Sequence, residues 1–376
     1  MIYNIARTEL QMLFYSPVAW LLLVVFTVQS ALVFTGSFEG FVAAKEMGYG
    51  LDALTYSLFS SPWGGLFPSM QGYLYFYIPL LTMGVVSREL SSGSIKLLYS
   101  SPITNFQIII GKYFAMMIYG AIMIGVLVLL GLCGLCTVEN FDWPLVLTGI
   151  LGLYLLLCAY AAIGVFMSSL TSYQIVAAIG TLIVLMLLDM VGGWGQEIDF
   201  VRDITYWLAM GGRSNTFISG MICSEDVLYF IVVICLFLAL TIIRLNAVRQ
   251  KIRFSVTLGR NLVVIVIACL IGYFSSMPTM KAYYDATATK MNTLTPNSQE
   301  IVARLDGDLT ITSYINILDP QGAWFAAGYF LKPDEERFEQ YLRFKPDMKL
   351  KYVYYYDTCA NPRLDERYPG KTLREK

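Results

Sequence analysis

The 376-residue sequence predicts an all-α polytopic membrane protein with a small C-terminal α/β module, and three observations carry that prediction. Hydrophobic residues make up 57% of the chain and charged residues only 14%, with a mean hydropathy of +0.60. That is more apolar surface than a soluble core can hide, so lipid is the expected solvent. Apolar runs recur that are long enough, at roughly 17 to 25 helical residues, to cross about 30 Å of hydrocarbon. The composition then changes at residue 278, after which 99 residues hold fourteen basic and fourteen acidic side chains, more charge than the 277 before them.

The runs lie near 18–36, 71–87, 107–134, 144–168, 172–192, 227–245 and 261–277, which predicts seven spans. The first is too long for a cleaved signal peptide and no small-residue cleavage site precedes a mature start, so it is expected to remain as an anchor. With the N-terminus in the cytoplasm, the inner segments carry nine Lys and Arg against three in the outer segments up to residue 277. The positive-inside rule favours that orientation, and seven spans then put the tail outside. The cluster "RLNAVRQKIRFSVTLGR", with Arg244, Arg249, Lys251, Arg253 and Arg260, is a topology anchor that also suits anionic lipid; a short loop between two membrane helices argues against nucleic-acid binding.

Between the second and third runs lies "RELSSGSIKLLYSSPITNFQ". Arg88 and Glu89 close the second helix, Gly93 permits a turn barred to other residues, and Ile95 and Leu98 share one side of a short helix. Ser101 and Pro102 break it, and Thr104 with Gln107 three residues on forms a capping box that starts the next helix. Capping does not explain why Ile95, Leu97 and Leu98 should face a basic water-side surface, which suits them to lipid or to another protein.

Asp189 is the one acid deep in an apolar run, readable either as a substrate- or proton-handling carboxylate or as an interfacial acid capped by "GGWG" backbone. Six of the seven cysteines lie in or beside apolar runs and histidine is absent, so packing outranks metal or redox chemistry. No G-x-x-x-x-G-K-[ST] phosphate loop and no serine nucleophile elbow occurs, so neither an ATPase nor a hydrolase is expected, and no cofactor bound by this chain.

The charged tail reads as a strand over 309–318, a helix over 332–344 and a second strand over 348–357. One strand–helix–strand unit cannot bury both sheet faces, so it is expected to be shortened or to be completed by a partner.

The segment "SRELSSGSIKLLYSSPITNFQIIIGKYFA" resembles the loop after the second membrane helix of type-2 ABC exporter permeases, E-x-x-x-G-[TS]-x-x-x-L-x-x-S-P followed by G-K. Glu89, Gly93, Ser94, Leu98, Ser101, Pro102, Gly111 and Lys112 match it. "IARTELQMLFYSPVAW" is similar to the family's amphipathic leading helix, and residues 206–241 to its outer loop and sixth helix. The gliding-motility GldF type is the closer likeness. From residue 246 the chain is similar to the start of its companion GldG, as if the two were fused.

The resemblance implies a six-helix ABC-2 permease over 1–245, a basic linker over 246–260, a seventh helix over 261–277 and an extracytoplasmic GldG-like module over 278–376. It implies a multi-pass protein of the cytoplasmic membrane, working with a second permease copy or relative and driven by a separate ATPase subunit that holds the ATP. Glu89, Gly93, Ser94, Ile95, Leu98, Ser101 and Pro102 would form the coupling helix that meets that subunit. The other classes open to the sequence are an ATP-independent carrier using Asp189 and a membrane scaffold presenting the C-terminal module.

Overall fold

The computed structural model describes residues 1–48, 53–100, 102–195, 198, 201, 205, 207–275, 281–305, 307–320, 322, 325, 331–345, 347–357 and 362–372. The chain forms two compact units, Met1–Asp189 with Met210–Thr289, and Met190–Ala209 with Lys290–Lys376.

The first unit opens with α1 (Ile2–Tyr15), a one-sided helix that buries Ala6 and Glu9. Extended Ser16 and then Pro17 end it and start α2 (Pro17–Glu46), because proline suits a first helical turn but not the interior. The short α3 (Leu54–Phe59) leads to α4 (Leu66–Thr82). The short helices α5 (Ser87–Ser92) and α6 (Ile95–Ser100) follow, separated by Gly93 at φ 72°, the left-handed conformation that spares only glycine a steric penalty. Thr104 and Gln107 make both halves of the expected capping box, with bonds of 3.2 and 3.3 Å, at the start of α7 (Asn105–Thr137).

Helix α8 (Trp143–Leu170), N-capped by Asp142, is the most buried span of the unit. It can sit there because small residues let neighbours approach its backbone: a methyl group added at Gly152 would overlap Phe217, and one at Gly164 would overlap Thr82. Helices α9 (Gln174–Met190) and α10 (Met210–Ile218) precede the strand β1 (Met221–Cys223).

The long α11 (Ser224–Gln250) and α12 (Phe254–Ser275) complete the helices of this unit. They pack together, and β1 pairs antiparallel with β2 (Tyr283–Asp285), Met221 opposite Asp285 and Cys223 opposite Tyr283. The backbone after α12 thus returns to the backbone before α11.

Among the described residues, five helices are long and apolar enough to cross a membrane: α2, α7, α8, α11 and α12. The expected second and fifth spans fall on α4 and α9, each of 17 residues, or about 25 Å, at the lower limit for a crossing. Apolar side chains around α12, such as Val263, Val266 and Leu270, are exposed in this chain and suit a lipid-facing helix.

Two sequence boundaries shift. The second span was expected to run to residue 87, but α4 ends at Thr82, three residues past Pro79. Ser168 on α8 accepts from the N–H groups of Val86 and Ser87, 3.0 Å each, and so holds the turn that follows. The stretch 246–260 is mostly helical: only Lys251 to Arg253 lie outside α11 and α12, where Lys251 takes φ 49° to end α11 and the Arg253 carbonyl accepts from Val256 to start α12. Charge marked this stretch as a surface without marking it as non-helical.

In the second unit, α13 (Pro296–Ala303) starts at Thr295, whose hydroxyl accepts from Ser298 N–H. The expected strand–helix–strand follows as β3 (Thr310–Asn316), α14 (Leu331–Leu342) and β4 (Lys349–Tyr355), the strands parallel with Thr310 opposite Lys349. Parallel pairing needs such a crossover helix. The short α15 (Pro362–Arg367) comes last.

Candidate functional site

The residues singled out between 88 and 112 gather at one end of the first unit, where α1, α5, α6 and the start of α7 meet. Glu89 lies in the first turn of α5 and its carboxylate is 2.8 Å from Lys112 Nζ on α7. Lys112 is 2% exposed, and its ammonium also touches Glu9 of α1 at 2.8 Å. Arg88 reaches the second Glu9 oxygen at 3.1 Å from the surface. Two carboxylates and two cations therefore balance within one cluster that joins three helices. A buried ion pair adds little net stability over apolar packing, but removing one partner strands a buried charge. The arrangement thus specifies how α1, α5 and α7 seat together.

Close backbone approach makes this seat possible. Gly111 lies against Ile5, and a methyl group added there would come within 2.8 Å of its side chain. The G-K pair picked out by resemblance thus has two physical tasks: glycine lets α1 in, and lysine neutralises the acids that α1 and α5 bring.

The other expected loop residues divide. Gly93 has the left-handed backbone, and Ser94 shares a 2.9 Å bond with the Ser92 hydroxyl. Ile95, expected on an outward edge, is buried at 7% exposure, whereas Leu97 is 73% exposed. Ile95 faces the bundle instead of the outside, while Leu97 faces outward as expected. Leu98 lies on α6, but its side chain is outside the described residues, as is Ser101. Pro102 is exposed in the turn that follows.

Arg249, read from sequence as one of five topology anchors, does more specific work. From the last turn of α11 its guanidinium donates to the Tyr99 carbonyl at 2.9 Å and to the Ile103 carbonyl at 3.2 Å. It also lies over the Tyr99 ring, 5.2 Å from the centroid. One turn earlier, Asn246 accepts from Asn105 at 2.7 Å. The carbonyls at the end of α6 have no intrahelical donors, and Arg249 supplies one to Tyr99 while a second N–H binds Ile103 in the turn that follows. Burial pushes the Tyr99 hydroxyl up from its ordinary pKa, with Arg249 pulling the other way. Arg244, Arg253 and Arg260 are exposed, as is Lys251. Sequence reasoning missed the role of Glu9 as well; its signal was the one acid of the leading segment, two residues after its one base, Arg7.

Asp189 closes α9 at the opposite end and is exposed in this chain. A methyl group on Gly211 would meet its carboxylate at 2.8 Å, and Gln71 donates to the Gly211 carbonyl at 3.3 Å while accepting from Ser214. Nearby, Arg213 pairs with Glu225 and Asp226, 2.8 Å each. Asp189 therefore belongs to a polar end of the bundle, apart from the Glu9–Lys112–Glu89 cluster.

No curated protein matches the chain. Residues 3–249 match the family described as ABC-2 family transporter protein, a span that runs from α1 to the last turn of α11 and includes every member of the ion-pair cluster and Arg249. The chain belongs to the ABC-2 transporter family and is a transmembrane permease of an ABC transporter.

Proposed function

We propose that this permease is driven by a separate cytoplasmic ATPase subunit that docks on α5 and α6, and that it works as an exporter. The observation that carries the reading is the Glu9–Lys112–Glu89 cluster, since it makes a short surface loop inseparable from α1 and α7. A force applied to α5 must move Lys112, and so α7, or strand buried charge. Exposed Leu97 beside Lys96 offers the apolar contact that a partner's groove would cover. The partner holds the ATP, and this chain supplies the path, with a second permease copy or a relative completing it.

In this reading the protein spans the cytoplasmic membrane with α1, α5 and α6 inside and residues 278–376 outside. The permease proper ends with α11, and the likeness to a GldF-type permease fused to a GldG-like module accounts for α12 and the α/β tail. Asp189 stands on the route of the cargo, at the polar end beside Gly211 and Gln71.

Leu97→Asp is the direct test. It should remove co-purification with the ATPase subunit and the stimulated ATP turnover while membrane insertion stays intact, because Leu97 is exposed and no packing is lost. Undiminished association of the Leu97→Asp protein would refute docking at this loop.

A further inference from the structure

We propose that Arg249 is the positioning residue through which the α5–α6 loop is tied to a closed hairpin of α11 and α12, and that this hairpin carries movement of the loop to the opposite end of the bundle. The proposal rests on the loop being the driven element, as argued above.

The hairpin is fastened at both ends. At the loop end, α11 and α12 are separated only by Lys251 to Arg253. At the opposite end the β1–β2 ladder joins the residues just before α11 to those after α12. Ser224 N–H donates to the Ala282 carbonyl at 2.8 Å, and Ala282 N–H donates to the Ser224 hydroxyl at 2.9 Å. Ala286 N–H adds a bond to the Gly220 carbonyl at 2.9 Å. The ladder ties β2 through β1 to the start of α11, and packing along their length couples α12 to α11. The pair therefore moves as one strut, about 40 Å long from the 27 residues of α11.

Arg249 is the grip of that strut. Its two carbonyl bonds and its place over Tyr99 fix the end of α6 and the residue before Thr104, the two points that flank the turn into α7. Asn246 holds Asn105 from the same face of α11. Lysine at 249 would keep the charge yet could not span both carbonyls while stacked on the ring, because it offers a point charge instead of a planar fork. A displacement of α6 thus reaches α11 through groups that topology alone assigns to lipid. At the far end it reaches β2 and Thr287, whose N–H and hydroxyl bond the Asp285 carboxylate.

Amide hydrogen exchange on the full-length chain in lipid nanodiscs tests this with and without a partner. In the chain alone, Arg249→Ala should raise exchange of residues 95–100 about fivefold and Arg249→Lys by less, with a smaller rise at Tyr283–Asp285. In the complex, trapping the ATPase subunit with a non-hydrolysable nucleotide should change exchange at both places in the parent protein. Arg249→Ala should bind the subunit yet lose the change at Tyr283–Asp285. Unaltered exchange at 95–100 overturns the grip, and a rise confined to that loop, or a nucleotide-dependent change at β2 that survives Arg249→Ala, overturns the strut. Failure of the parent chain to bind any ATPase subunit counts against the driven loop, while the partner-free arm still decides the role of Arg249.

Discussion

Lys112 is buried between two acids. Its ammonium is 2% exposed and is met by two carboxylates at 2.8 Å. Lys112→Met would leave Glu9 and Glu89 facing each other with surface Arg88 as their remaining cation among the described residues, and should cost about 3–5 kcal/mol, the range seen when one partner of a buried pair is removed. The triple change Glu9→Gln, Lys112→Met, Glu89→Gln removes every buried charge of the cluster and should recover most of that loss. Thermal unfolding of the detergent-solubilised chain reads both; a single variant as stable as the parent would show that the cluster contributes nothing. Sequence could hint at Lys112 and Glu89, which stand at recognisable positions of a motif. It could not pair either with Glu9, because that contact spans 103 positions and depends on how α1 lies over Gly111. The tertiary contacts of Arg249 escaped the sequence for the same reason: a positive charge next to a membrane helix is expected on topological grounds alone, which masks a partner 150 residues away.

Individual elements were legible where local chemistry decides them. The Thr104–Gln107 box, the left-handed Gly93 and the strand, helix and strand of the tail all rest on short-range rules, and all three are present. Span ends were less legible, because hydropathy does not see that Ser168 captures the backbone at Val86 and Ser87 and ends the crossing early. Ile95 shows the limit in another form: the period of α6 is local, but its rotation depends on which side the bundle covers. The capping box gives a prediction at this scale. Thr104→Ala frees the Gln107 N–H at the start of α7 and should lower stability by about 1 kcal/mol, with Thr104→Ser close to the parent. Equilibrium unfolding of the two variants separates the cap from a mere change in size, since serine keeps the acceptor and loses only a methyl group.

At the scale of the whole molecule, the decisive quantity is the parity of the crossings. Helices α4 and α9 are short for spans, and if either failed to cross, the ends of the later helices would change sides. The first unit supplies an internal check. Asp142, which caps α8, accepts from the Ala288 N–H at 2.8 Å, and the β1–β2 ladder joins the start of α11 to the segment after α12. The starts of α8 and α11 and the residues after α12 therefore share one end, while Glu9, Lys112 and Arg249 share the other. With the N-terminus inside, α8 and α11 run inward only if both short helices cross. A membrane-impermeant maleimide applied to intact cells should therefore label Tyr284→Cys, whose parent side chain is exposed, and should label Lys251→Cys only after the membrane is opened. Background from the native cysteines is subtracted with the unsubstituted chain. Labelling of both positions from one side would mean that α12 does not cross. Labelling of Lys251→Cys alone from outside would invert the orientation, placing the Glu9–Lys112–Glu89 cluster and its loop beyond the reach of any cytoplasmic ATPase.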